Sequence, residues 1–278
     1  MSLHLWVNDR LVETSSATID ALDAGLRSGI GVFETLRVHG TATLALERHL
    51  QRLADGARRI DVPLDITLVR SALRRTLEAP RALSEVVARI TVTAGPVEND
   101  RWPAAPSGAS TVIITLHPAP PLPAAPGTAA TVEARRWPAD LKATAYLSSV
   151  LAQRQALVAG ADIAVLHDGD ELLETAEGNL FAVVNGALLT PPTDGRILPG
   201  VTRGLVLEAA ERLGLETRIE RLTKPAANAA DALFVTSSVN GIRTITALDG
   251  HTVGDGAGGE EQHRSIDALR RALADLRR

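Results

Sequence analysis

With 278 residues, 45% of them hydrophobic, the chain is long enough for two domains with proper cores. Its net charge is −4, with 29 Lys and Arg scattered among 33 Asp and Glu, and this excludes the basic stripe of a nucleic-acid-binding surface. There is no cysteine, which removes disulfides, thiolate nucleophiles and thiolate metal sites together, and no metal is expected. No apolar run approaches the ~18 residues that span a bilayer. The start, MSLHLWVNDRLVET, lacks a basic region followed by a long apolar core. A cytoplasmic protein without membrane attachment is expected.

Residues 4–13 alternate around Asn8-Asp9 and predict a hairpin. GVFETLRVHGTATLAL predicts two strands joined at His39-Gly40. ERHLQRLADGARRIDV predicts a helix with Leu50, Leu53, Ala57 and Ile60 on one stripe, and a second helix follows Pro63. SEVVARITVTAG and STVIITLHP are β-branched strands. The polar, Pro-rich loop PVENDRWPAAPSG joins them and is of the kind that overhangs a site. HPAPPLPAAPGTAA, residues 117–130, holds too many prolines for a helix or a central strand and predicts an extended linker. The expected organisation is a small α/β domain over 1–116, this linker, and a larger domain over 131–278. After a GDGAGGEEQ loop, a last helix is expected with Ser265 as N-cap and Ile266, Leu269, Leu273 and Leu276 on its inner face.

The chemistry concentrates between Leu141 and Arg203. Lys142 stands ahead of a helical pattern in which Tyr146, Leu147, Val150, Leu151 and Leu157 recur at three-to-four spacing. Glu174 ends an apolar run where a strand turns. LPGVTR is a Pro-Gly turn that delivers Val201 and Thr202 to a helix start, where unpaired N–H groups and a hydroxyl make a ready anion site. An amine, a carboxylate and an anion cradle suit a cofactor with a carbonyl, a ring nitrogen and a phosphate, and pyridoxal phosphate has all three. By residue type alone, Lys142 is a solvated lysine, Arg52 one helix arginine among several, and Ser238 a turn residue.

These motifs, with LDAGLRSGIGVFETLRVHG, ERHLQRL and ADALFVTSSVNGIRTI in the same order, resemble the class IV, or fold-type IV, pyridoxal-phosphate aminotransferases. The similarity covers nearly the whole chain and lies closest to the branch of aminodeoxychorismate lyases and D-amino acid transaminases. The resemblance implies an α/β fold with a small N-terminal domain, a larger C-terminal one and the cofactor in the cleft between them. It makes Lys142 the Schiff-base lysine and proton shuttle, Glu174 the partner of the pyridine nitrogen, and Leu198 an apolar contact on the ring. Arg52, Val201, Thr202 and Ser238, with Ser237 beside it, would hold the phosphate. Phe33, Arg37, Arg89, Arg101 and Tyr146 are the candidates for the substrate pocket. A surface or core-edge ion pair is the alternative for each arginine. Phe33 stands where D-amino acid transaminases have a tyrosine. LKATAYL lacks the Gly-Gly-Asn-Tyr continuation common in branched-chain enzymes.

The expected activity is transfer of an amino group between an amino acid and a 2-oxo acid, by a homodimer. The alternative is a lyase on the same scaffold, making 4-aminobenzoate and pyruvate from 4-amino-4-deoxychorismate. A third reading, a non-catalytic binding module, is disfavoured by the presence of both Lys142 and Glu174.

Overall fold

The computed structural model describes residues 4–97, 108–122, 125–254 and 260–276, without the side chains of 260–263. The chain divides into two compact units. Unit 1 is Met1–Ala119 with Leu141–Ala145, and unit 2 is Pro120–Asp140 with Tyr146–Arg278.

Unit 1 opens with the hairpin of β1 (His4–Val7) and β2 (Arg10–Glu13), turned at Asn8 with φ +54°. A short helix α1 (Ala24–Ser28) is capped by Asp23, whose Oδ1 accepts the Gly25 N–H at 2.7 Å. β3 (Gly31–His39) and β4 (Ala42–Thr43) follow, then α2 (Leu46–Arg59), α3 (Ile66–Glu78), β5 (Glu85–Thr93) and β6 (Thr111–Pro118). The strands form an antiparallel sheet in the order β2-β1-β6-β5-β3-β4. Strand alternation sends Val32, Leu36 and Val38 of β3 and Ala88, Ile90 and Val92 of β5 to one face. There they pack with Leu50, Leu53 and Ala57 of α2 and Val69, Leu73 and Leu77 of α3. Ile60, the last residue of the expected α2 stripe, is partly buried against the same core.

Unit 2 contains β7 (Gly127–Glu133), α4 (Leu147–Val158), β8 (Ile163–Asp168), β9 (Glu171–Thr175), β10 (Asn179–Val184), β11 (Ala187–Thr190) and α5 (Val201–Arg212). Then come β12 (Thr217–Ile219), β13 (Leu222–Thr223), α6 (Lys224–Asn228), β14 (Ala232–Ser237), β15 (Gly241–Leu248), β16 (His251–Thr252) and α7 (Glu260–Asp275). Its sheet runs β12-β11-β10-β14-β15-β7-β8-β9-β13. β10 also meets β9 through the pair Asn179↔Glu174, which fixes Glu174 to the strand that follows its turn. Among the described residues, no helix is long and apolar enough to cross a membrane.

Three features differ from the sequence expectation. The stretch expected to link the domains contributes to strands at both ends: β6 runs through Pro118 and β7 starts at Gly127. Pro118 closes β6, and Pro120, Pro121 and Pro126 fall between the two strands. The second is α7, which begins at Glu260, so Ser265 lies inside the helix rather than capping it. Ile266, Leu269 and Leu273 are buried as expected, whereas Leu276 is 41% exposed. The third is α4, whose spaced apolar residues face outward. Ser149, Ala152 and Ala156 are the buried ones, and small side chains let the helix lie close on the sheet.

Candidate active site

Lys142 belongs to unit 1, although the longer stretches that flank it, Pro120–Asp140 and Tyr146–Arg278, are in unit 2. The five residues Leu141–Ala145 return to unit 1 and run antiparallel beside the start of β3. The Phe33 N–H donates to the Lys142 carbonyl and the Thr144 N–H to the Gly31 carbonyl, both at 2.9 Å, around a Val32↔Ala143 bridge. Leu141 is buried in the unit 1 core and Ala143 packs against it. Alternation therefore turns Lys142 to the opposite face, where its Nζ lies 4.5 Å from the centroid of the Phe33 ring. The Arg89 guanidinium lies 3.7 Å from the same centroid, so two cations share one aromatic side chain.

The arginines expected near the substrate separate. Arg37, on β3, donates to Glu85 Oε2 at 2.5 Å. The Arg37 contact, with burial opposing it, holds the Glu85 carboxyl below its ordinary range. Arg37 is thus committed to an ion pair on its own sheet, the alternative reading for this residue. Arg89, on the neighbouring strand, stacks on Phe33 instead. Arg101 lies outside the described residues.

Arg52, expected at the phosphate, forks onto Glu34: its Nε donates to Oε1 at 2.7 Å and its Nη2 to Oε2 at 2.9 Å. His49, one turn earlier on α2, donates from Nδ1 to Glu34 Oε2 at 2.6 Å. Glu34 is fully buried, and burial alone would raise its carboxyl; Arg52 and His49 outweigh that and bring it down to about 2. The sequence reading missed Glu34. The signal was there, because an acid stands on the same strand face as Val32, Leu36 and Val38, and His49 and Arg52 lie three apart on the facing helix.

In unit 2, Glu174 is 3% exposed on β9, and its carboxylate is held from two sides. Arg136 donates to Oε1 from Nε at 2.9 Å and also from Nη2. The Leu198 N–H donates to Oε2 at 3.1 Å. The Leu198 carbonyl in turn accepts from the Asn179 amide at 2.8 Å, so one residue pins the acid and is itself pinned to β10. Arg136 was not singled out from the sequence: in ARRWPADLK it is one of two adjacent arginines, and nothing local says which turns inward. Glu171, at the other end of β9, pairs with Arg196 and Arg221.

The N-terminus of α5 is capped by Gly200, which offers no side-chain acceptor to the first N–H groups of the helix. A Cβ built at Gly200 would run into Asn179 Oδ1, so only glycine lets this turn lie against β10. Thr202 is buried, with its Oγ1 3.3 Å from Ser238 Oγ. Two hydroxyls thus flank the positive end of a 12-residue helix. Ser237 does not join them. It is the last residue of β14, and its Oγ accepts the Asn240 N–H at 3.1 Å across the turn that Ser238 begins. The Tyr146 hydroxyl donates to the Ala176 carbonyl at 2.6 Å. Burial pushes this phenol above its ordinary range, with Arg136 pulling the other way.

Unit 2 thus carries a buried, doubly held acid and a glycine-capped helix start with two hydroxyls, and unit 1 carries a lysine amine set on an aromatic ring. The family model for amino-transferase class IV matches residues 31–248. A putative branched-chain-amino-acid aminotransferase of Methanocaldococcus jannaschii is 34% identical over 267 residues, covering 93% of this chain and 92% of its own. A D-alanine aminotransferase of Listeria innocua is 31% identical, covering 91% and 90%. The crystal structure of a branched-chain aminotransferase from Thermoproteus uzoniensis, with norvaline, superposes with a TM-score of 0.87. It is 27% identical and covers 99% of this chain and 96% of that one. The chain belongs to the class IV aminotransferases, the pyridoxal-phosphate enzymes of fold-type IV that move an amino group between an amino acid and a 2-oxo acid. All three names are aminotransferases, which favours the transaminase over the lyase.

Proposed function

We propose that Lys142 is the amine that holds pyridoxal 5′-phosphate, that Glu174 faces its ring nitrogen, and that the head of α5 with Thr202 and Ser238 takes its phosphate. The side chains fit the group. Uncapped N–H donors and two hydroxyls suit a phosphate monoester, and a buried carboxylate suits a protonated ring nitrogen. When bound, the cofactor supplies the aldehyde carbon that accepts nitrogen and a cationic ring that draws electrons from it.

The protein's own residues do the rest. Lys142 would hold the cofactor's aldehyde and, as a free amine, would serve as the base that moves a proton at the substrate α-carbon. Glu174 holds the proton on the ring nitrogen, and Arg52 is a further phosphate donor whose fork on Glu34 fixes its plane. Arg89 is the cation assigned to the substrate carboxylate, since Arg37 already has one in Glu85. A second copy of the chain covers the outward face of α4, where Leu147 is 68% and Val158 90% exposed.

The observation that carries this reading is the alternation that sinks Leu141 and Ala143 inward and turns the Lys142 amine onto Phe33. The test is borohydride reduction of the purified, cofactor-saturated protein followed by peptide mass spectrometry. A phosphopyridoxyl adduct is expected on Lys142 alone, and absent in Lys142→Ala. An adduct on another lysine at full yield would overturn the assignment.

A further inference from the structure

Arg136 is a buried-edge arginine that the roles above leave unused, yet it makes the most direct contact with Glu174. Its side chain is 10% exposed, and the acid's 4%. Its Nε and Nη2 both reach Glu174 Oε1, while Nη2 also donates to the Ala139 carbonyl at 2.8 Å. The arginine is thus anchored at both ends, to strand β9 and to its own segment of backbone. On the other carboxylate oxygen sits the Leu198 N–H.

We propose that Arg136 is a positioning residue for the reaction: it fixes the plane of the Glu174 carboxylate and supplies the counter-charge that keeps this buried acid a hydrogen-bond acceptor toward a protonated heteroaromatic nitrogen. The argument is electrostatic. A carboxylate cut off from water needs a partner charge, and without one it takes up a proton. A protonated Glu174 can no longer hold a cation on the ring. A fork that lands on one oxygen also prevents the carboxyl from rotating, and Leu198 locks the second oxygen from the other side. A lysine at 136 would keep the charge but not the fork.

This inference rests on Glu174 serving the ring nitrogen, and the experiment separates the two. The holoenzyme is compared with Arg136→Gln, Arg136→Lys, Glu174→Gln and the double variant Arg136→Gln/Glu174→Gln. Measured are the pH dependence of the cofactor absorbance in resting enzyme, the pyridoxal phosphate dissociation constant, and kcat and KM against pH. Arg136→Gln is expected to lower kcat roughly 10- to 100-fold, the scale of losing an orienting partner behind a bound group. KM should change far less. The acid limb of the kcat profile should move to higher pH, because an unpaired Glu174 keeps its proton longer, and the absorbance titration should move with it. Arg136→Lys should restore the position of the acid limb but not the full rate. In the Glu174→Gln background, Arg136→Gln should cost little more. An unmoved acid limb, or losses that simply multiply in the double variant, would overturn the proposal while leaving Glu174 in place. If Glu174→Gln itself leaves absorbance and cofactor affinity unchanged, the Glu174 assignment falls, and the role of Arg136 with it.

Discussion

Replacing Glu34 with glutamine would keep its shape and remove its charge. The carboxyl sits at about 2 in the fold against 4.5 ordinarily, in a site where it is fully buried, and this corresponds to roughly 3 kcal/mol favouring the ionised form. Loss of one partner from a buried ion pair costs about 3–5 kcal/mol, since Arg52 and His49 would be left without it. The two figures agree, so Glu34→Gln should lower the stability of unit 1 by about 3 kcal/mol. The assay is urea unfolding followed by fluorescence, since Trp6 is buried in the unit 1 core and reports on it. The folded-state carboxyl is depressed, so the contribution is complete above pH 4.5 and is lost as pH falls toward 2. The gap between wild type and variant should therefore be full at pH 6 and close progressively below pH 4.5. A loss under about 1 kcal/mol at pH 6, or a gap that stays constant down to pH 2.5, would refute the reasoning.

Two further outcomes follow from the geometry. Gly200→Ala should cost about 1–3 kcal/mol of stability by overpacking against Asn179 and should also weaken retention of pyridoxal phosphate, read together by thermal melts with and without cofactor. Equal melting of variant and wild type would remove the steric argument. Leu151→Glu, placed on the outward face of α4 where the residue is 48% exposed, should give a monomer by sedimentation while leaving the fold intact by circular dichroism. A variant that sediments as the wild type does would show that this face is not where copies meet.

The parts legible in the sequence are those set by local period. The β1–β2 hairpin, the α2 stripe and the strand pair β5–β6 follow from alternation and spacing that no distant contact overrides. α4 shows the limit of that logic. Its apolar spacing was visible, but periodicity cannot say which side is covered when the inward face is built of Ser149, Ala152 and Ala156. Ser265 looked like a cap because its residue type suits one, whereas the helix had already begun at Glu260. Ser237 and Ser238 are adjacent in sequence, but the first ends β14 and bonds Asn240 across the turn while the second lies in that turn beside Thr202, and residue type does not show where the strand stops. Arg136 and Glu34 depend on partners 38 and 18 or fewer positions away, and pairing at that range leaves no local trace except, for Glu34, an acid in an apolar row.

The return of Leu141–Ala145 to unit 1 also bears on how such a chain can be cut or rearranged. A gene fragment stopping at residue 119 would omit the peptide that pairs with Gly31 and Phe33 and would leave a hole where Leu141 packs beside Val32 and Gly56. The complementary fragment would carry those five residues as an orphan loop. Neither half is a transferable cassette, so recombination that respects the fold must move the crossover stretch together with the N-terminal piece.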